Sequence, residues 1–158
     1  MTAAKRGPLV FVLGGARSGK STFAEARMTA LAPPWIYIAT AQAFDDEMRA
    51  RIATHRDRRD ARWRTIDAPH DLCAALRDAP ADAPVLVDCL TLWLTNRLLA
   101  DADLAADRAR LVDALVARRA PTFVVSNEVG LGIVPDNALS RRFRDEAGFL
   151  HQAVAARA

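Results

Sequence analysis

The 158-residue chain predicts a three-layer α/β domain with a mostly parallel sheet. Three observations predict it. Short apolar runs alternate with helical periodicities, the runs are apolar throughout rather than at every second residue, and a glycine-rich turn joins the first run to the first helix. Alternating strands and helices form parallel sheets with right-handed crossovers. Uninterrupted apolar strands mean that both faces of the sheet are covered.

The elements follow in chain order. LVFVLG (9–14) is the first strand, and a helical pattern runs over about 20–31. Pro33-Pro34 interrupts it before WIYIAT (35–40), the second strand. A helix is expected over 45–55, where Asp45/Arg49 and Glu47/Arg51 pair at i, i+4. Phe44, Met48, Ile52 and His55 share another face of it and read as a core stripe. Residues 56–64 read as a basic loop, followed by a helix over 70–78 and a strand VLVDC (85–89). An interrupted helical stretch (91–119), the strand TFVVSN (122–127) and a last helix (137–157) complete the chain. The breakers DAPADAP (78–84) and APT (120–122) are too short to be domain linkers, so residues 1–158 are expected to form one domain.

Composition narrows the function. A chain 51% hydrophobic and 26% charged is an ordinary globular protein. No apolar run is long enough to span a bilayer, and the N-terminus lacks a secretory core and cleavage site, so a cytoplasmic enzyme is expected. Cys73 and Cys89 have neither CxxC spacing nor a nearby histidine pair, which argues against zinc or a disulfide framework. Cys89 reads as a small buried hydrophobe. The net charge is +3, and arginines 56, 58, 59, 62 and 64 against Asp57 and Asp60 account for all of it. A patch so local, with only Trp63 interleaved, suits the phosphates of a small ligand better than nucleic acid.

GGARSGKS (14–21) matches G-x-x-x-x-G-K-[ST] in full, with Gly14, Gly15, Ala16, Arg17, Ser18, Gly19, Lys20 and Ser21 between a strand and a helix. Glycines let backbone N–H groups converge on phosphates at a helix N-terminus. In this motif Lys20 reaches the β- and γ-phosphates and the Ser21 hydroxyl ligates Mg²⁺. A second carboxylate for the metal is expected at the end of another strand. Asp88 ends VLVD and supplies it, its alternative being an N-cap for the next helix.

His55 stands where the apolar stripe meets the arginines. The flanking guanidinium groups favour a neutral imidazole suited to attack on phosphorus, while the helix C-terminus favours the cation. Residue spacing alone leaves open whether His55 ends a core stripe or does chemistry. Asn127 and Glu128 also stay open: a strand's carboxyl end is a ligand position, yet Gly130 and Gly132 mark an ordinary turn. Trp93 reads as core or subunit interface.

Four blocks carry a resemblance: GGARSGKS, YIATAQAFDDEMRARIATHRDRRDARWRTID, VLVDCLTLWLTN and SNEVGLGIVPDNALSRRFRDEAGFLHQ. In this order, from about residue 9 to the C-terminus, they resemble the bifunctional adenosylcobinamide kinase/adenosylcobinamide-phosphate guanylyltransferases of cobalamin biosynthesis. The resemblance implies a RecA-like P-loop NTPase fold and a homotrimer. It implies that ATP or GTP phosphorylates adenosylcobinamide. GMP from GTP then passes through a guanylylated histidine to adenosylcobinamide phosphate, giving adenosylcobinamide-GDP and pyrophosphate. The histidine aligns with His55, which with Lys20 forms the catalytic set. Nucleotide contacts carry over to Gly14–Ser21, to Ala39, Thr40 and Ala41, to Arg56, Asp57, Arg58 and Arg59, and to Asp67 and Asp88. Mg²⁺ falls to Ser21 and Asp88, and neither nucleic acid nor a membrane span is implied. The family's chains continue into a further hydrophobic strand beyond the position of Ala158, and a sheet without it has an edge to cover.

Two rivals make different predictions. A P-loop small-molecule kinase with a structural His55 transfers only the γ-phosphoryl and forms no covalent nucleotide. A RecA-like module acting on nucleic acid shows salt-dependent affinity for it.

Overall fold

A computed structural model of the chain describes residues 5–42 and 44–158. The first four residues, part of the stretch read as leaderless, lie outside it. Five strands form one all-parallel sheet: β1 (Leu9–Gly14), β2 (Trp35–Ala39), β3 (Trp63–Asp67), β4 (Val85–Asp88) and β5 (Thr122–Asn127), in the spatial order β1-β5-β4-β2-β3. The described helices are α1 (Lys20–Thr29), α2 (Asp46–Asp57), α3 (Leu72–Asp78), α4 (Leu90–Leu99), α5 (Leu104–Val116) and α6 (Ala138–Ala155). None of them is long and apolar enough to cross a membrane.

The strand period divides the core into two layers. Ile36, Ile38, Val85, Val87 and Val124 face the helices α3 to α6, packing on Leu72, Leu76, Trp93, Leu111, Leu150 and Val154. Their neighbours Trp35, Tyr37, Leu86, Phe123 and Val125 face α1 through Ala24 and Met28. Each fully buried large side chain contributes roughly 1.5–3 kcal/mol by leaving water. These central strands are apolar on both faces, as the sequence predicts. Trp93 belongs to the core.

Helix ends follow local chemistry. Asp45, Asp103 and Asn137 cap α2, α5 and α6 by accepting from the backbone N–H of Met48, Ala106 and Ser140. The interruption expected within 91–119 falls between α4 and α5, where Asp101 adopts φ 56°.

Two expectations need correction. The stretch read as a basic loop in fact runs from the end of α2 into β3, a strand absent from the sequence reading. β3 forms a sheet edge, so its outward Arg64 and Thr65 stay exposed and only Trp63 and Ile66 reach the two core layers. The α2 stripe is also no core stripe: α2 has no buried residue, and Phe44 is 68% exposed. Met48, Ile52 and His55 instead line a cleft.

Candidate active site

The cleft lies at the carboxyl ends of the strands, where open α/β sheets bind ligands. Register brings its floor together. Ala39 of β2 lies level with Asp67 of β3 and Asp88 of β4, while Gly14 of β1 lies level with Asn127 of β5. The volume is about 860 Å³, within the range of small-molecule sites.

The loop from Gly14 to α1 forms one wall. Gly19 holds φ 87°, a left-handed conformation that a side chain would strain. A Cβ on Gly14 would come within 2.7 Å of the Ser18 Oγ. α1 starts at Lys20 with no side-chain cap, and Lys20, Ser21 and Thr22, whose N–H groups precede the first intrahelical bond, line the cleft. The Lys20 ammonium donates to the Gly15 carbonyl at 3.0 Å, folded back along the loop.

α2 forms the other wall, contributing Met48, Arg51, Ile52, His55 and Arg56, with Arg58 and Arg59 following. The lining side chains include six cations (Arg17, Lys20, Arg51, Arg56, Arg58, Arg59) against two carboxylates (Asp67, Asp88), a surplus suited to a polyphosphate. The His55 Nδ1 and the Arg59 Nε and Nη1 are buried without a hydrogen-bond partner. Unsatisfied polar atoms of this kind carry a desolvation cost that a ligand or water can relieve.

At the floor, Tyr37 donates its hydroxyl proton to the Asp88 Oδ2 at 2.7 Å, and the Arg59 guanidinium stacks 3.6 Å from the centre of its ring. Burial, and after it the Asp88 charge, push the Tyr37 phenol well above its usual range, so it acts as a donor. The capping alternative for Asp88 does not hold. Cys89, not Asp88, is the N-cap residue of α4, and no side chain caps that helix. Arg56 donates to both oxygens of Asp67 at 2.7 Å. Cys89 is buried, as its sequence context predicts, with its Sγ 3.3 Å from the Thr91 hydroxyl. Burial first, then Asp88, push the Cys89 thiol up.

The cleft gathers Ala16, Arg17, Ser18, Gly19, Lys20, Ser21, Ala39, Ala41, His55, Arg56, Arg58, Arg59, Asp67 and Asp88 from the expected set. Gly14 and Gly15 line a smaller hollow behind the loop with Leu13, Glu128, Val129 and Leu131. Asp57 is exposed and outside both, and Thr40 is fully buried beneath the floor. Asn127 lines the cleft, which leaves Glu128 alone on the far side of the loop. Sequence reasoning missed Thr22, Tyr37, Met48, Arg51, Ile52, Cys89 and Leu92 as cleft residues. A signal for Tyr37 existed: the strand period of two sets it on the same face as Ala39.

A nucleotide-type loop, a basic cleft and strand-end carboxylates on a parallel sheet define a P-loop NTPase-like enzyme. Comparison with known proteins specifies it further. A family model described as cobinamide kinase / cobinamide phosphate guanyltransferase matches residues 10–158. The chain is 54% identical over 149 residues to the bifunctional adenosylcobalamin biosynthesis protein CobP of Pseudomonas aeruginosa, covering 92% of this chain and 86% of that protein. It is 43% identical to the bifunctional adenosylcobalamin biosynthesis protein CobU of Salmonella typhimurium and 39% identical to the protein of that name from Escherichia coli, each match covering 95% of this chain and 91% of the relative. The chain belongs to the cobinamide kinase / cobinamide phosphate guanyltransferase family, and it is accordingly an enzyme of the kinase and nucleotidyltransferase classes in cobalamin biosynthesis.

Proposed function

We propose that residues 1–158 form a single nucleotide-binding domain whose one cleft serves both reactions, with His55 as a transient carrier of GMP. In the kinase step, the alcohol of adenosylcobinamide gives up its proton to water as its oxygen bonds to the γ-phosphorus of ATP or GTP, the bond to the β-bridging oxygen breaks, and the nucleoside diphosphate leaves. Lys20 and the backbone N–H groups of residues 14–21 neutralise the phosphate charge. In the second step, a His55 nitrogen bonds to the α-phosphorus of GTP and pyrophosphate leaves. An oxygen of adenosylcobinamide phosphate then displaces the imidazole, giving adenosylcobinamide-GDP and free His55.

The observation that carries this reading is the position of His55. An imidazole with a buried, unpartnered Nδ1 lines the same cleft as Lys20, Ser21 and Asp88. Cys89 also lines the cleft, but its raised thiol pKa makes it the poorer nucleophile. Arg56 and Arg58 would hold the attacked phosphate, while Arg59, with its Nε and Nη1 buried and its plane on the Tyr37 ring, would border the nucleotide beside them. Asp57 and Thr40 then act from outside the cleft, Thr40 by fixing the loop whose neighbours Ala39 and Ala41 face the nucleotide.

The donor set fits Mg²⁺. Ser21 and Asp88 present hard oxygens, and no group of three or more His, Cys, Asp or Glu among the described residues forms a cage of its own. That matches an ion held by one or two protein oxygens plus phosphates and water. Bound there, it would neutralise phosphate charge during transfer.

The homotrimer and cytoplasmic location implied by the family resemblance belong to the same proposal. Leu131 and Ile133, 90% and 96% exposed, support assembly by leaving an apolar loop to be covered. Isotope exchange tests the covalent step. Labelled pyrophosphate should enter GTP with no corrinoid present, and His55→Ala should abolish exchange while retaining kinase turnover. Exchange that needs the corrinoid contradicts the two-step path.

A further inference from the structure

α2 carries His55 yet buries no residue, so hydrophobic burial does not seat it. Its C-terminal end and the two residues after it touch the sheet and α1 through arginines. Arg56 meets Asp67, but both side chains are about half exposed or more, and such pairs hold geometry weakly. Arg58 reaches only 4.0 Å from Glu25. Arg59, four residues after His55 and just past the end of α2, lies 3.6 Å from the centre of the Tyr37 ring with its Nε and Nη1 shielded from water. Tyr37 is itself only 4% exposed, fixed on β2 with its ring packed edge-on to Trp63. A guanidinium on a desolvated aromatic face is the firmer of these contacts.

The other end of the same side chain donates to Asp88 at 2.7 Å. That bond takes one lone pair of Oδ2 and fixes the plane of the carboxylate. Among the described residues, Oδ1 takes no side-chain hydrogen bond. Tyr37 therefore touches the phosphate side of the cleft with its hydroxyl and the histidine side with its ring.

We infer that Tyr37 is a positioning residue for both transfers, orienting Asp88 toward the nucleotide-bound metal through its hydroxyl and seating the His55 end of α2 through the Arg59 stack. The inference rests on the metal role proposed for Asp88 and the carrier role proposed for His55. Groups that orient a ligating carboxylate typically change metal affinity 10–100-fold when removed.

Three variants of the full chain separate the parts. Tyr37→Phe deletes only the hydroxyl and keeps the ring. Arg59→Gln deletes the stack and keeps the hydroxyl, and Asp88→Asn controls for the metal role. The first readout is the Mg²⁺ concentration that half-saturates tightening of a fluorescent GTP analogue, an equilibrium measurement independent of turnover. The second is the rate of covalent GMP capture by His55. Tyr37→Phe should raise half-saturating Mg²⁺ about tenfold. Arg59→Gln should slow covalent capture about tenfold, measured at saturating GTP and Mg²⁺ so that weaker nucleotide binding does not contribute. Denaturant midpoints close to wild type exclude misfolding, and neither variant removes a packed apolar group. A wild-type Mg²⁺ titration for Tyr37→Phe, alongside a shifted one for Asp88→Asn, overturns the inference and leaves the metal reading standing. No shift in Asp88→Asn overturns the metal reading itself. Wild-type capture in Arg59→Gln overturns the seating of α2.

Discussion

Thr40 and Cys89 are joined by a reciprocal pair of hydrogen bonds: the Thr40 hydroxyl donates to the Cys89 carbonyl at 2.7 Å and accepts from the Cys89 N–H at 3.0 Å. One fully buried hydroxyl thus locks the loop after β2 to the residue following Asp88. Asn96 extends the lock by donating to the Thr40 and Pro69 carbonyls at 2.8 and 2.9 Å. Thr40→Val is isosteric but leaves the Cys89 N–H without a partner, while the Cys89 carbonyl keeps the Trp93 N–H at 3.3 Å. It should destabilise the fold by about 1–3 kcal/mol in urea titration, and Thr40→Ser should restore most of that. Equal losses in the two variants would show that the methyl, not the hydroxyl, matters.

The Arg56–Asp67 pair should behave oppositely. Its side chains are 48% and 63% exposed, so solvent screens the attraction and the pair is worth less than about 1 kcal/mol to stability. Asp67 nevertheless orients an arginine that lines the cleft. Asp67→Asn should leave the urea midpoint nearly unchanged while slowing GMP transfer about ten- to a hundredfold. A variant with normal transfer and lost stability would reverse that assignment.

Arg118 is a buried cation that holds the turn before β4. Its guanidinium donates to the Leu76, Pro80 and Ala83 carbonyls at 2.8, 2.9 and 2.7 Å. Arg118→Leu strips the Leu76 and Ala83 carbonyls of this donor, while the Pro80 carbonyl keeps the Ala83 N–H, and should cost about 2–3 kcal/mol. The same urea titration measures it, and a loss below about 1 kcal/mol would mean that water replaces the guanidinium.

His151 supplies a pH dependence. Its ring is buried against Phe11, with Nε2 2.7 Å from the Ser126 hydroxyl, and burial holds its pKa below the ordinary 6.5, with Glu128 opposing. Above pH 6.5 both folded and unfolded chains carry a neutral ring, and nothing is lost. As pH falls through that value the unfolded chain binds a proton that the folded chain refuses, so stability falls until the folded pKa is passed. The urea midpoint should therefore drop between pH 7.5 and 5, by less in His151→Gln. Identical profiles would clear His151 of the effect.

What could be read from the sequence depended on which physical signal each element carries. β1, β2, β4 and β5 are apolar on both faces and stand out as runs, and the loop at 14–21 has its own spacing. β3 has no such signal, because an edge strand needs only Trp63 and Ile66 to be apolar and its arginine looks like loop. The period of α2 was legible but its destination was not: a helical stripe of Met48, Ile52 and His55 is the same whether it faces a core or a ligand cleft. Thr40 shows the reverse limit, a residue in a ligand-facing loop whose own side chain turns into the protein. The Tyr37–Asp88 bond joins residues 51 positions apart, and only the register of β2 with β4 reveals it.

The central claim is that His55 becomes covalently guanylylated, and direct labelling tests it most closely. The protein and its His55→Ala variant are incubated with GTP radiolabelled at the α-phosphate and Mg²⁺, denatured, and challenged with acid and with base. The account predicts label that survives denaturation and base, is released by acid as expected of a phosphoramidate, and is absent from the variant. A folded protein that binds GTP and retains no label would contradict it and leave a P-loop kinase whose His55 only contacts the nucleotide.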